Sequence, residues 1–265
     1  MAVAAAPRMT GAVRILEQHL VGYRRTWRGS VFSTFLTPVL FLASIGIGLG
    51  AIVDERSAGN GAMGAAYLAF LAPGILVSSA MQSAAFESTY PVMAGIVWDR
   101  TYLAALATPL AVADIVIGNL LFVAVRLAIA GTVFIAVAVA FGAVAPLPGL
   151  AMLPVSILTG LGFAAAIQAF SSTQRGDQGF TLLFRFVITP LFLFSGTFFP
   201  IDQLPDAIRW VAWCSPLWHG IDLARSIALG TIDPPVAAIH LAVLLGMLTA
   251  GIAAGVILFR RRLVR

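Results

Sequence analysis

The chain has 265 residues, 60% of them hydrophobic and only 10% charged, with a formal net charge of +5. Soluble domains carry about 25% charge, so this composition calls for lipid rather than water as the solvent. All 16 basic residues are arginine, and the single cysteine, Cys214, excludes an intrachain disulfide or a multi-cysteine metal site and reads as a packing residue.

The first stretch, MAVAAAPRMTGAVRILEQHLVGYRRTWRG, is polar and arginine-rich with no apolar run of its own, so no secretory signal is expected there. Within it Val13, Leu16, Leu20, Tyr23 and Trp27 fall on one helical face, and Arg14, Gln18, Arg25 and Arg28 lie largely opposite. This pattern predicts an amphipathic helix over residues 1–30 lying on the cytoplasmic membrane surface. Six apolar runs then reach the roughly 20 residues needed to cross about 30 Å of hydrocarbon. They cover residues 31–53, 64–86, 112–141, 147–170, 180–199 and 236–259. The first and fifth contain Pro38 and Pro190, and the third contains Asp114, Asn119 and Arg126. The expected fold class is an all-α integral membrane protein, with six transmembrane helices in one domain over 31–265. No repeat of 20–50 residues and no low-complexity linker interrupts it.

Arginine placement sets the expected orientation. With the N-terminus inside, eleven arginines are cytoplasmic: Arg8, Arg14, Arg24, Arg25, Arg28, Arg100, Arg175, Arg260, Arg261, Arg262 and Arg265. Three, Arg56, Arg209 and Arg225, lie on the opposite side, and Arg126 and Arg185 fall inside spans. All five tryptophans sit outside the apolar runs, as expected for indoles in the headgroup zone.

After the fifth run the chain spends about 36 residues outside, broken by Pro-Ile-Asp-Gln-Leu-Pro. Two short helices fit. The first opens at Pro205 and runs to about Trp213; the second has Ser215 as N-cap, Pro216 at its first position and Gly230 at its stop. Leu217, Ile221, Ala224 and Ala228 make one apolar stripe, and Asp222 and Arg225 are spaced to pair. A helix of this length cannot span, so residues 195–230 are expected to form an extracytoplasmic re-entrant hairpin, which points to a packed interface or an aqueous exit.

Chemical signals are sparse. A phosphate-binding loop needs a lysine and none exists, so energy must come from a separate ATPase or an ion gradient. "GIGLGA" at 46–51 has the spacing of a dinucleotide loop but ends a membrane run, and reads as small-residue helix packing. His19, His219 and His240 are isolated and share no ligand spacing; His219 reads as a structural hydrogen-bonding residue. Ser78, Ser79, Ser171, Ser172 and Ser195 read as satisfying backbone groups or helping helices pack. Arg126, near mid-membrane, faces either a transport cavity or a structural partner such as Gln82 or Gln168. Arg185 can snorkel inward, and the phenylalanines of the fifth run suit a lipid-facing surface better than a substrate lining. An intramembrane acyltransferase or protease would need convergent His, Ser or acidic residues in the spans, and none is visible. A gradient-driven transporter would need paired mid-membrane carboxylates, for which Asp114 is the only candidate.

Two blocks of sequence resemble a known family. Ser195-Gly196-Thr197-Phe198-Phe199-Pro200, Leu204-Pro205, Pro216-Leu217, His219 and Arg225 resemble the C-terminal signature of ABC type-2 transport permeases. Phe86-Glu87-Ser88-Thr89-Tyr90, Trp98, Thr101-Tyr102 and Leu106-Ala107-Thr108-Pro109 are similar to the segment after span 2 in the NodJ-like branch, which includes permeases for nodulation lipo-oligosaccharides, other glycolipids and drugs. The resemblance implies the membrane subunit of an ATP-driven exporter that moves an amphipathic, lipid-linked or lipo-oligosaccharide substrate outward across the bacterial cytoplasmic membrane, with both termini cytoplasmic. A multidrug or polyketide efflux permease is the alternative. It implies that the N-terminal surface helix lies beside the ATPase, and that residues 87–109 form the coupling segment, with Glu87, Tyr90, Trp98, Asp99, Arg100, Thr101 and Tyr102 in it. It places Gly196, Phe199, Pro200, Pro205, Pro216, His219 and Arg225 in the exit hairpin. Two ATPase copies, a second six-span permease and membrane lipid are the implied partners, with no nucleic acid. No cofactor is expected on this chain; ATP and Mg would sit on the ATPase.

Overall fold

A computed structural model describes residues 9–44, 62–201 and 206–264. Every regular element among them is helical. In chain order they are α1 (Met9–Ala43), α2 (Ala62–Ser88), α3 (Tyr90–Met93) running into a π turn (Ala94–Trp98), α4 (Thr101–Leu106), α5 (Val112–Ala140), α6 (Pro146–Thr173), α7 (Gln178–Phe194), α8 (Asp206–Cys214), α9 (Pro216–Leu229) and α10 (Pro234–Leu263).

Four of these, α2 with its extension through Trp98, α5, α6 and α10, are long and apolar enough to cross a membrane. They coincide with the second, third, fourth and sixth predicted runs. The other two runs differ from expectation. The predicted surface helix and the start of the first run form one helix of 35 residues, about 50 Å long at 1.5 Å per residue, with no break between them. Toward the protein it presents Gly11, Ala12, Ile15 and His19, while of the predicted stripe Val13 is 41% exposed and Leu16, Leu20 and Tyr23 are half-buried. The reason is a close approach: Gly118 of α5 lies so near Ile15 and the Ala12 carbonyl that any Cβ there would collide with both. Residues 45–53, the rest of that run, and the "GIGLGA" motif lie outside the described residues, as do Arg8 and Pro205.

The fifth run is shorter than predicted. Helix α7 stops at Phe194, about 25 Å after it starts, at the lower limit of the roughly 17–25 residues of a span. Its interior carries a π turn, Phe184–Ile188, just before Pro190, whose missing N–H and ring displace the regular hydrogen-bond register. At its end Ser195 leaves helical geometry and Gly196 adopts φ 83°, a left-handed turn open to glycine. Residues 195–199 thus belong to the turn that leads into the hairpin.

The core lies between α2, α5, α6 and α9. Leu71, Leu76 and Met81 of α2 and Met152 and Phe163 of α6 pack with Leu217, Ile221 and Ala224 of α9, all nearly or wholly buried. Helix–helix seams run on small residues, which let backbones approach. Gly160 of α6 faces the Ala80 carbonyl of α2, and Gly251 of α10 lies against the backbone of Ala165 and Ala166 of α6.

Candidate functional site

Two structured regions occupy opposite ends of the bundle. At the arginine-rich end, α2 continues past Thr89, whose hydroxyl donates to the Ala85 carbonyl at 2.9 Å, into α3 and the π turn. The chain then reverses at Arg100, with φ 52°, the one non-glycine residue with positive φ among those described. A left-handed arginine is strained relative to glycine or asparagine, so the sharp elbow is held by its surroundings. Trp98, Asp99 and Arg100 project from its tip into solvent, while Thr101 is half-buried and Tyr102 is 4% exposed. The Tyr102 ring lies over Gly95, so close that a Cβ there would clash with it.

Below the elbow a chain of polar contacts joins three elements. Asn119 of α5 donates from Nδ2 to the Tyr102 hydroxyl at 3.0 Å, and its Oδ1 accepts from His19 Nε2 of α1 at 2.9 Å. Burial pushes the Tyr102 hydroxyl well above the usual tyrosine range, partly offset by the Asn119 bond. His19 stacks on Phe122, with centroids 5.0 Å apart. Beside this chain Arg126 forms an ion pair with Glu87 at 2.8 Å and lies 4.8 Å from the Tyr23 ring centroid. Its Cα stands near the middle of α5, and because side chains tilt toward a helix's N-terminus, the guanidinium reaches back to the end of α2. The partner predicted from Gln168 is not found: Gln168 is buried at the α6–α10 seam, near Gly255, with neither amide atom hydrogen-bonded. Gln82 is half-buried on α2. Tyr90 meets Phe180 edge-on at 5.2 Å and so ties the elbow to α7. Asp114, the acidic residue considered for ion coupling, accepts from the Ala111 N–H at 2.8 Å and caps α5.

At the other end the helix signals of α9 hold: Ser215 is the N-cap, Pro216 lies in the first turn and Gly230, at φ 68°, ends the helix. The capping hydroxyl, however, bonds Ser195 at 2.9 Å instead of its own helix. Thr197 bonds Ser78 of α2 at 2.8 Å. Arg225 does not take up the predicted pairing with Asp222. Its Nη2 donates to the Gly196 carbonyl at 2.8 Å and its Nε to the Phe70 carbonyl at 3.3 Å, with the guanidinium 3.7 Å from the Phe70 ring centroid. Burial pushes this guanidinium down to about 10, against the opposing pull of Asp222, which leaves it charged at neutral pH. Asp222 instead meets His240 Nε2 at 3.1 Å, and His240 Nδ1 lies 2.7 Å from His219 Nδ1. Gly220 abuts Thr159, halfway along α6, so the start of α9 reaches the middle of the bundle. Phe199 and Trp218 pack around Ile201 and Ala212, and Pro200 is exposed.

The elbow between two long helices and the tucked helical hairpin agree with a family comparison. The model of the ABC-2 type transporter matches residues 13–229. The chain belongs to the ABC-2 type transporter family.

It is 34% identical to Nodulation protein J of Rhizobium leguminosarum bv. viciae over 95% of this chain and 94% of that protein. It is 33% identical to Nodulation protein J of Bradyrhizobium diazoefficiens over 95% and 93%, and 32% identical to Nodulation protein J of Rhizobium meliloti over 83% and 81%. As an ABC-2 family member the chain is a membrane transporter subunit. The family resemblance located the blocks around Glu87 and Ser195. It did not reveal His19, Asn119, Phe70, Asp222 or His240, whose partners lie on other helices up to 155 positions away and leave no local spacing to read.

Proposed function

We propose that this chain is the permease subunit of an ATP-driven exporter in a bacterial cytoplasmic membrane, with six spans and both termini inside. Two ATPase copies dock on the elbow formed by residues 87–109, and a second six-span permease completes the path. The chain performs no covalent chemistry and binds no nucleotide. Its cargo is an amphipathic lipo-oligosaccharide or related glycolipid, moved outward; the likeness to the Nodulation protein J sequences supports this class over a lipophilic drug or polyketide. The hairpin at 195–230 is re-entrant in the outer leaflet beside the exit.

The observation that carries the reading is the elbow. Trp98, Asp99 and Arg100 stand at its tip in solvent, while Tyr102 and the Glu87–Arg126 pair root it in α1, α2 and α5. A push on such a tip moves the roots of three long helices. Reversing its charges, Asp99→Arg with Arg100→Asp, keeps a residue that tolerates the left-handed conformation at position 100. The variant should insert normally yet lose stimulation of the co-purified ATPase by cargo, together with export from intact cells. Export at the wild-type rate would remove the elbow from the coupling path.

A further inference from the structure

Helix α9 is fastened on two sides by chemically different catches. On the α2 side Arg225 clips it to Phe70 and Gly196, through a guanidinium that stays charged across the physiological range. On the α10 side the fastening is the His219–His240 contact, backed by Asp222. We propose that the His219–His240 pair is a proton-sensitive latch that frees α9 from α10 in acid while Arg225 keeps it clipped to α2.

His240 Nε2–H donates to Asp222, and His219 also bonds the main chain of Trp213. The contact is satisfied with both rings neutral, when His219 Nδ1–H donates to the bare Nδ1 of His240, and it survives one added proton, when His240 Nδ1–H donates to the bare Nδ1 of His219. A second proton would have to occupy that bare nitrogen. Two N–H groups would then point at each other across 2.7 Å, and two cations would share a site in which His219 is 9% and His240 2% exposed. The pair must part.

The surrounding groups set the pH at which this happens. Asp222 faces the pair from α9, and Arg225 lies on the same helix toward α2. Helix α10 supplies His240 itself and Asp233 at its start; α8 supplies Arg209 and Cys214. Helix α6 presents Thr159, which does not titrate, and α2 presents Val77. Burial and the neighbouring His240 hold His219 below the usual histidine range, so the neutral form is favoured in the fold. Docking is therefore at full strength above the ordinary histidine value and is lost as pH falls through the lowered one.

The geometric claim stands apart from the export reading; only its consequence, that external acidity loosens the exit hairpin and alters cargo release, rests on that reading. In the full chain with Cys214→Ala, spin labels on Leu229→Cys of α9 and on Leu245→Cys of α10, both exposed, report the α9–α10 gap. Labels on Leu229→Cys and on Ala69→Cys, half-buried beside Phe70, report the gap to α2. Between about pH 7.5 and about pH 5 the first distance should lengthen and the second should stay fixed. The paired substitution His219→Gln with His240→Gln should abolish the response. A first distance unchanged by acid, or a response that survives in the double variant, overturns the latch. Export assayed over the same pH range tests the export reading separately.

Discussion

Glu87 and Arg126 carry opposite charges where α2 ends and α5 passes, with side chains 19% and 26% exposed. A fully buried pair loses about 3–5 kcal/mol when one partner is removed, because the other charge is stranded. Partial exposure reduces that, and Glu87→Gln is expected to cost about 2 kcal/mol. The double variant Glu87→Gln with Arg126→Gln should regain part of the loss, since the charge deprived of its carboxylate is removed as well. Thermal unfolding of the detergent-solubilised permease, compared across the four members of this cycle, measures the coupling. An additive double variant would mean that the pair contributes nothing of its own.

Between elements, the seam of α6 and α10 is set by contact distance. A Cβ on Gly251 would come within 2.7 Å of the Ala165 Cβ and 2.8 Å of the Ala166 nitrogen, and the backbone cannot yield as a flexible side chain would. Gly251→Val should therefore separate the helices at a cost of about 1–3 kcal/mol. Gly246→Val on the same helix meets open space and serves as the matched control. Reduced yield of folded protein for the first variant and an unchanged yield for the second is the expected pair of results. The hairpin obeys the same rule: Gly74 of α2 sits against the Thr197 backbone, which allows the 195–199 turn to dock.

At the scale of the molecule, the two ends are built for different environments. One carries the elbow and the basic last turn of α10, Arg260, Arg261 and Arg262; the other carries the hairpin and the exposed Trp210 and Trp213. In the proposed topology the first end, with its arginine bias, faces inward. With Cys214→Ala as background, a single cysteine at Asp233 should react with an impermeant thiol reagent in intact cells, and one at Gly176 should not. Both positions are exposed, so access depends on sidedness alone. Labelling at Gly176 would reverse or break the topology.

The sequence by itself determined the solvent, the four clear long helices, the caps of α9 and the family, because hydropathy, proline and glycine placement and short motifs act over neighbouring residues. It read Arg126 as a costly intramembrane charge and offered Gln82 or Gln168 as its partner, where the structure supplies Glu87. It read a separate surface helix where α1 is continuous, and carried the fifth run through Phe199 although the helix ends at Phe194. Those outcomes depend on what stands across from each residue. Gly118 draws α1 onto α5, Gly196 and Ser195 turn the chain toward Ser215, and His240 takes Asp222 while Phe70 and Gly196 take Arg225. Contacts between distant segments are set by helix packing in three dimensions, and no spacing along the chain encodes them.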